Sequence, residues 1–222
     1  MNIPTLFHMP GACSRVTMNA LEEARVEYFD RPIDILTGEQ KSPQYLAINP
    51  KGKVPALLLG GRVLTENVAI LLYLHEQSPQ AGILPFSASA FDRALSVSDL
   101  VWCSGTLHPI VRAVFRPAAL TEGDGEPVKS HAIGAFRPVA ELLQQRFANA
   151  PWWYGDHWSI VDVYLSWLYG IAAAGGFDLS TYPALGGHGE RVRARPSFQR
   201  ALAREQRALE KANIKLPPGA SL

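Results

Sequence analysis

The chain has little cysteine: Cys13 and Cys103 are its only two, and they stand far apart. A disulfide framework is therefore not expected, and a reduced, cytoplasmic setting is. It has no surplus of either charge. Twenty-one basic against 20 acidic residues leave a net +1, which excludes nucleic acid as a partner, because phosphate binding needs a clustered basic excess. No apolar run approaches the roughly 20 residues that cross a bilayer, so no membrane partner is expected. The opening Met1-Asn2-Ile3-Pro4-Thr5 lacks the charged-then-apolar order of a secretory signal. Internal repeats and low-complexity tracts are missing too. With 47% hydrophobic and 18% charged residues, the chain can bury a real core of one sizeable or two modest domains.

The first third alternates between periods. Residues 3 to 9 read as a strand ending at the turn Pro10-Gly11. Val16, Met18, Ala20, Leu21 and Ala24 then follow a helical pattern, and Val26 to Ile35 is strand-like. Strand, helix, strand favours a parallel pair with the helix as crossover. Ser42-Pro43 opens a short helix stopped by Asn49-Pro50. Val54–Leu59 and Arg62–Thr65 flank Gly60-Gly61, a tight hairpin, and Asn67–Glu76 is helical. This small α/β unit is complete by about residue 78. A breaker-rich linker, Ser78 to Ser87, follows. Beyond it, residues 91–115, 128–148, 159–174 and 197–211 carry helical patterns, and none reads as a strand. The expected fold class is α/β plus all-α: a first domain over 1–80 and an all-helical one over 88–222.

Several residues carry possible chemistry, each with a plainer alternative. Cys13 stands at or one residue before a helix start, where free amides and the helix dipole favour a thiolate; it could equally fill a gap. Ser14 is an N-cap or a hydroxyl donor to a ligand sulfur. Val54-Pro55 opens a strand with proline. A cis bond there would turn the Val54 backbone outward to pair with an extended peptide, and a trans bond at a strand edge is the plain reading. Glu66-Asn67 sits where a strand hands over to a helix, so Glu66 could hold an ammonium and Asn67 with the helix amides a carboxylate. Alternatively, Glu66 simply complements the helix dipole.

Further on, Ser159-Ile160-Val161-Asp162 reads as a capping box. Trp102, Thr106, Arg112 and Phe115 recur at helical spacing around His108, and Pro109 is placed to kink that helix. Cys103 reads as packing. Gly186-Gly187-His188-Gly189 lacks a preceding strand, so it reads as a loop and not a phosphate cradle.

Four stretches in this order resemble the cytosolic glutathione transferases, and most closely the bacterial cysteine-type (beta-like) members. They are Pro10-Gly11-Ala12-Cys13-Ser14, Ala47 to Leu57, Leu64 to Ile70, and Ser159 to Asp162. The resemblance implies a thioredoxin-like first domain with a mixed four-stranded sheet, a cis bond before Pro55, and a homodimer. It also implies a glutathione co-substrate, no metal, and transfer of glutathione to an apolar electrophile or thiol–disulfide exchange through Cys13. A zeta-like isomerase and a non-catalytic binding protein are the alternatives. Carried across, Cys13, Ser14 and His108 become the catalytic set. Gln40, Lys53, Val54, Pro55, Glu66 and Asn67 would bind glutathione, with Gln40 and Lys53 at the glycyl end. Trp102, Arg112 and Phe115 would line the electrophile pocket. Two positions depart from the pattern: Asn67 stands where serine is usual, and Val101 where the beta class keeps an asparagine.

Overall fold

In the computed structural model, which describes residues 3–85, 89–217 and 222, the chain forms two compact units. One comprises residues 1–83 with 195–222, the other residues 84–194. Phe86 and Ser87, part of the expected linker, lie outside the described residues.

The first unit runs β1 (Thr5–His8), α1 (Ser14–Glu23), β2 (Phe29–Pro32), α2 (Pro43–Leu46), β3 (Ala56–Leu59), β4 (Arg62–Thr65) and α3 (Asn67–Gln77). The sheet order is β2-β1-β3-β4. β1 and β2 pair in parallel across α1, while β3 is antiparallel to both β1 and β4. This is the mixed, thioredoxin-like sheet that the resemblance implied, and its parallel β1–β2 pair is the one expected from the strand-helix-strand order. Strand alternation sorts the core. Phe7 and Ala56 turn to one face with Ile33 and Tyr45, and the Phe7 and Tyr45 rings meet edge to face at 5.8 Å. Leu6 and Leu57 are buried, as are Val16, Ala20 and Leu21 of α1 and Ile70, Leu71 and Leu74 of α3. Gly60 and Gly61 both have positive φ, 56° and 78°, as a two-residue turn matched to strand twist requires. β2 is shorter than the Val26–Ile35 run, since only Phe29 to Pro32 find partners on β1.

The last helix, expected within the 88–222 region, packs on this unit instead. We label it α9 (Pro196–Ala212); it lies against α1 and β2. Its buried stripe of Phe198, Ala201, Glu205 and Ala208 has the helical spacing of one face, and that face is partly charged. Arg200 and Arg204 both bond Glu22, at 2.9 and 2.7 Å, and Arg204 also reaches Asp30 at 2.9 Å. Those ion pairs select α1 and β2 as its partners.

The second unit is helical among its described residues: α4 (Ala90–Val101), α5 (His108–Phe115), α6 (Glu126–Asn149), α7 (Ile160–Ala174) and α8 (Pro183–Arg193). The single helix expected over 91–115 is broken by a π-type stretch, Trp102–Leu107. Pro109 has no N–H to donate back to residue 105, and widened turns just before it absorb that gap. The capping box forms as expected, with Ser159 and Asp162 satisfying each other's backbone. The glycine run 186–189 is not a loop: it lies inside α8. Glycine costs helix stability, but a Cβ on Gly189 would stand 3.0 Å from the Tyr169 hydroxyl. His188 between them is fully buried, bonding Asp162 at 3.1 Å and Tyr169 at 3.0 Å. Close packing and that buried triad override local propensity.

Candidate active site

The site in the first unit forms where the N-termini of α1 and α3 converge on the cis Val54-Pro55 bond. Cys13 caps α1 from a helical conformation without using its side chain. Its thiol donates to the Val54 carbonyl at 3.8 Å. Asn67, the first residue of α3, donates its amide to the Cys13 carbonyl at 3.1 Å and accepts the Thr17 hydroxyl at 2.7 Å. The two helix ends are thus tied together through one buried amide.

Burial pushes the Cys13 thiol up to about 12, and the Glu66 charge adds to the shift; the hydrogen bond from Asn67 and the Lys53 charge oppose it. The helix end that favours a thiolate is present, and burial of the sulfur works against it.

Ser14 also differs from expectation. It is fully buried and is the first residue of α1, not its cap. Its hydroxyl donates to the Met9 carbonyl at 3.0 Å and accepts the Met9 N–H at 3.1 Å. One hydroxyl carries one proton, and here that proton is spent on the backbone. The Asn67 side chain makes its bonds inside the fold, and the first turn of α3 begins at the same joint.

Glu66 does stand at the joint, with φ +73° and ψ 126°, a backbone region that strains any residue but glycine. Its carboxylate, 64% exposed, holds the ammonium of Lys51 at 2.9 Å. A cation of this chain thus sits where a ligand's ammonium was expected; so exposed a pair is worth little and is readily displaced. The Gln40 side-chain oxygen is buried with no partner of its own. The Lys53 carbonyl accepts from Tyr45 at 2.7 Å and Asn49 at 2.8 Å, so that stretch is held by its backbone.

Residues 4–76 match the family of glutathione S-transferase N-terminal domains. The disulfide-bond oxidoreductase YfcG of Escherichia coli K12 is 32% identical over 203 residues, covering 87% of this chain and 91% of that protein. This chain belongs to the cytosolic glutathione transferase family. Two solved relatives agree in fold at 33% identity and a TM-score of 0.80. One is the beta-class glutathione S-transferase of Sphingomonas chungbukensis, covering 90% of this chain and 98% of that one. The other is a sphingomonad glutathione S-transferase complexed with glutathione, covering 91% and 98%.

In this glutathione transferase the remaining expected residues lie in the second unit. His108 begins α5 with its ring 4.8 Å from that of Trp167, edge to face. Trp102 is in the π-type stretch and stacks on Trp153 at 5.7 Å. Phe115 is half-buried at the end of α5, its backbone against Gly175, while Arg112 is exposed. Cys103 is fully buried, as the packing reading required. No helix among the described residues is long and apolar enough to cross a membrane.

Sequence reasoning missed Lys51, Thr17 and Glu205. Lys51 and Thr17 had no motif. Glu205 reaches the Cys13 loop from 190 residues beyond Arg15, a separation at which no local pattern carries a signal.

Proposed function

We propose that this glutathione transferase activates the thiol of glutathione itself and transfers its sulfur to an apolar electrophile. The observation that supports this reading is the protonated Cys13 thiol beside the Val54 carbonyl. A thiol with so raised a pKa keeps its proton near neutral pH, which makes it a poor nucleophile and leaves it an S–H, a weak donor, to turn toward a ligand. Glutathione, lying extended along Val54-Pro55, would exchange backbone hydrogen bonds with Val54. Its γ-glutamyl ammonium would displace Lys51 from Glu66, and its carboxylate would meet the first turn of α3. Gln40 and Lys53 would take the glycyl end.

Once a glutathione N–H takes over the Val54 carbonyl, the Cys13 S–H is released from it and would donate to the developing thiolate nearby, lowering its pKa. In the transfer step the thiolate attacks an electrophilic carbon. The C–S bond forms, the leaving group departs with its electron pair, and the thiol proton passes to solvent. Trp102, Arg112 and Phe115 would line the electrophile side. The working form would be a cytoplasmic homodimer with a detoxifying role.

A second reading is thiol–disulfide exchange. Cys13 keeps partial exposure, whereas Cys103 is sealed in. With oxidised glutathione, the Cys13 sulfur would form a mixed disulfide, one glutathione leaving as the thiol that takes the proton. One experiment separates the two. Turnover of an aryl halide with glutathione is measured in the wild type and in Cys13→Ala, alongside intact-mass spectrometry after oxidised glutathione. Conjugation in Cys13→Ala reduced by no more than about ten-fold, as loss of one hydrogen-bond donor allows, with no Cys13 adduct in the wild type, supports the first reading; a rapid Cys13 adduct in the wild type, with disulfide reduction lost in Cys13→Ala, supports the second.

A further inference from the structure

One carboxylate from far along the chain reaches the segment that carries Cys13. Glu205, on α9, is fully buried. One carboxylate oxygen accepts the Gly11 N–H at 2.9 Å, and the other accepts Arg15 Nε at 2.7 Å. Gly11 and Arg15 flank Cys13 on either side. From the geometry we infer that Glu205 is a positioning residue of the sulfur site, holding the 11–15 segment so that Cys13 keeps its place against Val54.

Three observations carry this. First, a buried ion pair is an expensive way to dock a helix, since apolar residues of similar size do so as well or better. What the carboxylate supplies that leucine cannot is two directed bonds to defined points of the loop. Second, α9 is anchored elsewhere, through Glu22 to Arg200 and Arg204 and through Glu23 to Arg195 at 2.5 Å. α9 thus has docking contacts besides Glu205. Third, the loop depends on outside support at this point. Gly11 has φ +77°, and the chain beyond α9 returns to it, with Leu216 Cδ2 3.6 Å from where a Gly11 Cβ would stand. Ser14 ties the loop to Met9 from within; Glu205 ties it from outside. The role in turnover rests on the proposal that glutathione's sulfur lies at Cys13.

The test compares two double variants that differ only in the acceptor offered to Gly11. Arg15→Leu with Glu205→Leu removes the ion pair without stranding a charge, so the fold should persist; Arg15→Leu with Glu205→Gln restores an amide oxygen. Because Cys103 is buried, iodoacetamide on the native protein reads Cys13. In the leucine pair, alkylation should rise about ten-fold as the sulfur leaves its shielded position, and KM for glutathione should rise several-fold, misplacement by about 1 Å being enough for such effects. The glutamine pair should return toward wild type on both. Arg204→Gln, which weakens α9 docking away from the loop, should change neither. Wild-type alkylation in the leucine pair, or an equal change in Arg204→Gln, overturns the positioning role. Altered alkylation with unaltered KM would uphold the positioning and remove glutathione's sulfur from the Cys13 loop.

Discussion

Cys13 should be nearly inert toward alkylation near neutral pH. Its thiol is pushed from an ordinary 9.0 to about 12, chiefly by burial, and that gap reduces the thiolate by a factor of about 1000 at any pH below both values. A compensating rise in intrinsic nucleophilicity with basicity returns only part of it, about thirty-fold for a slope near 0.5. The net expectation is alkylation roughly thirty-fold slower than for a free thiol, still rising with pH past 10. The assay is the iodoacetamide rate against pH, with Cys13→Ala as the blank. Saturating glutathione should slow it further by covering the sulfur. A profile that levels off below pH 8 at a rate matching or exceeding a free thiol would refute the reasoning. It would mean that the α1 amides dominate desolvation, and would move the enzyme toward Cys13-led disulfide exchange.

Ser14→Ala should act on stability, since a buried Met9 N–H loses its acceptor while the Met9 carbonyl keeps the Ala12 amide at 3.1 Å. A loss of about 2 kcal/mol by urea unfolding is expected, with conjugation by the folded fraction preserved; a ten-fold loss of turnover at unchanged stability would restore the hydroxyl to the sulfur site. Glu66→Gly should raise stability by about 1 kcal/mol by relieving the positive φ, yet weaken glutathione binding at least ten-fold by calorimetry, and equal affinity would leave Glu66 out of the ligand site. His188, buried and held neutral with its pKa below the ordinary 6.5, makes the unfolded chain the better proton acceptor. Stability should therefore be complete above pH 6.5 and decline as pH falls through 6.5 toward the folded value, with a smaller decline in His188→Gln.

Most of the fold was legible because its signals were local. Period-2 runs bounded by Pro10-Gly11 and Gly60-Gly61, and the helical spacings after Ser14 and Asn67, each decide their own element. Two misses share a cause in tertiary packing. The glycine-rich 186–189 run reads as a loop by propensity, and becomes helix because His188 must reach both Asp162 and Tyr169. The helix expected over 91–115 breaks at Trp102–Leu107, which only the hydrogen-bond ladder before Pro109 reveals.

The site was legible in its positions and much less so in its roles. Cys13, Val54, Glu66 and Asn67 do converge, yet residue type alone cannot say which way a polar group is spent. Ser14 and Asn67 are both buried, and the hydrogen bonds they show run inward. A hydroxyl or amide sealed beneath a helix end must satisfy itself with nearby backbone: Met9 for Ser14, and the Cys13 carbonyl for Asn67. The same burial that diverts them also raises the thiol they support. The sulfur site is therefore built less from reactive side chains than from a rigid, desolvated seat. On the proposed reading its chemistry depends on a ligand that brings its own thiol, and its precision on the residues, Asn67 and Glu205 among them, that bond to the Cys13 segment.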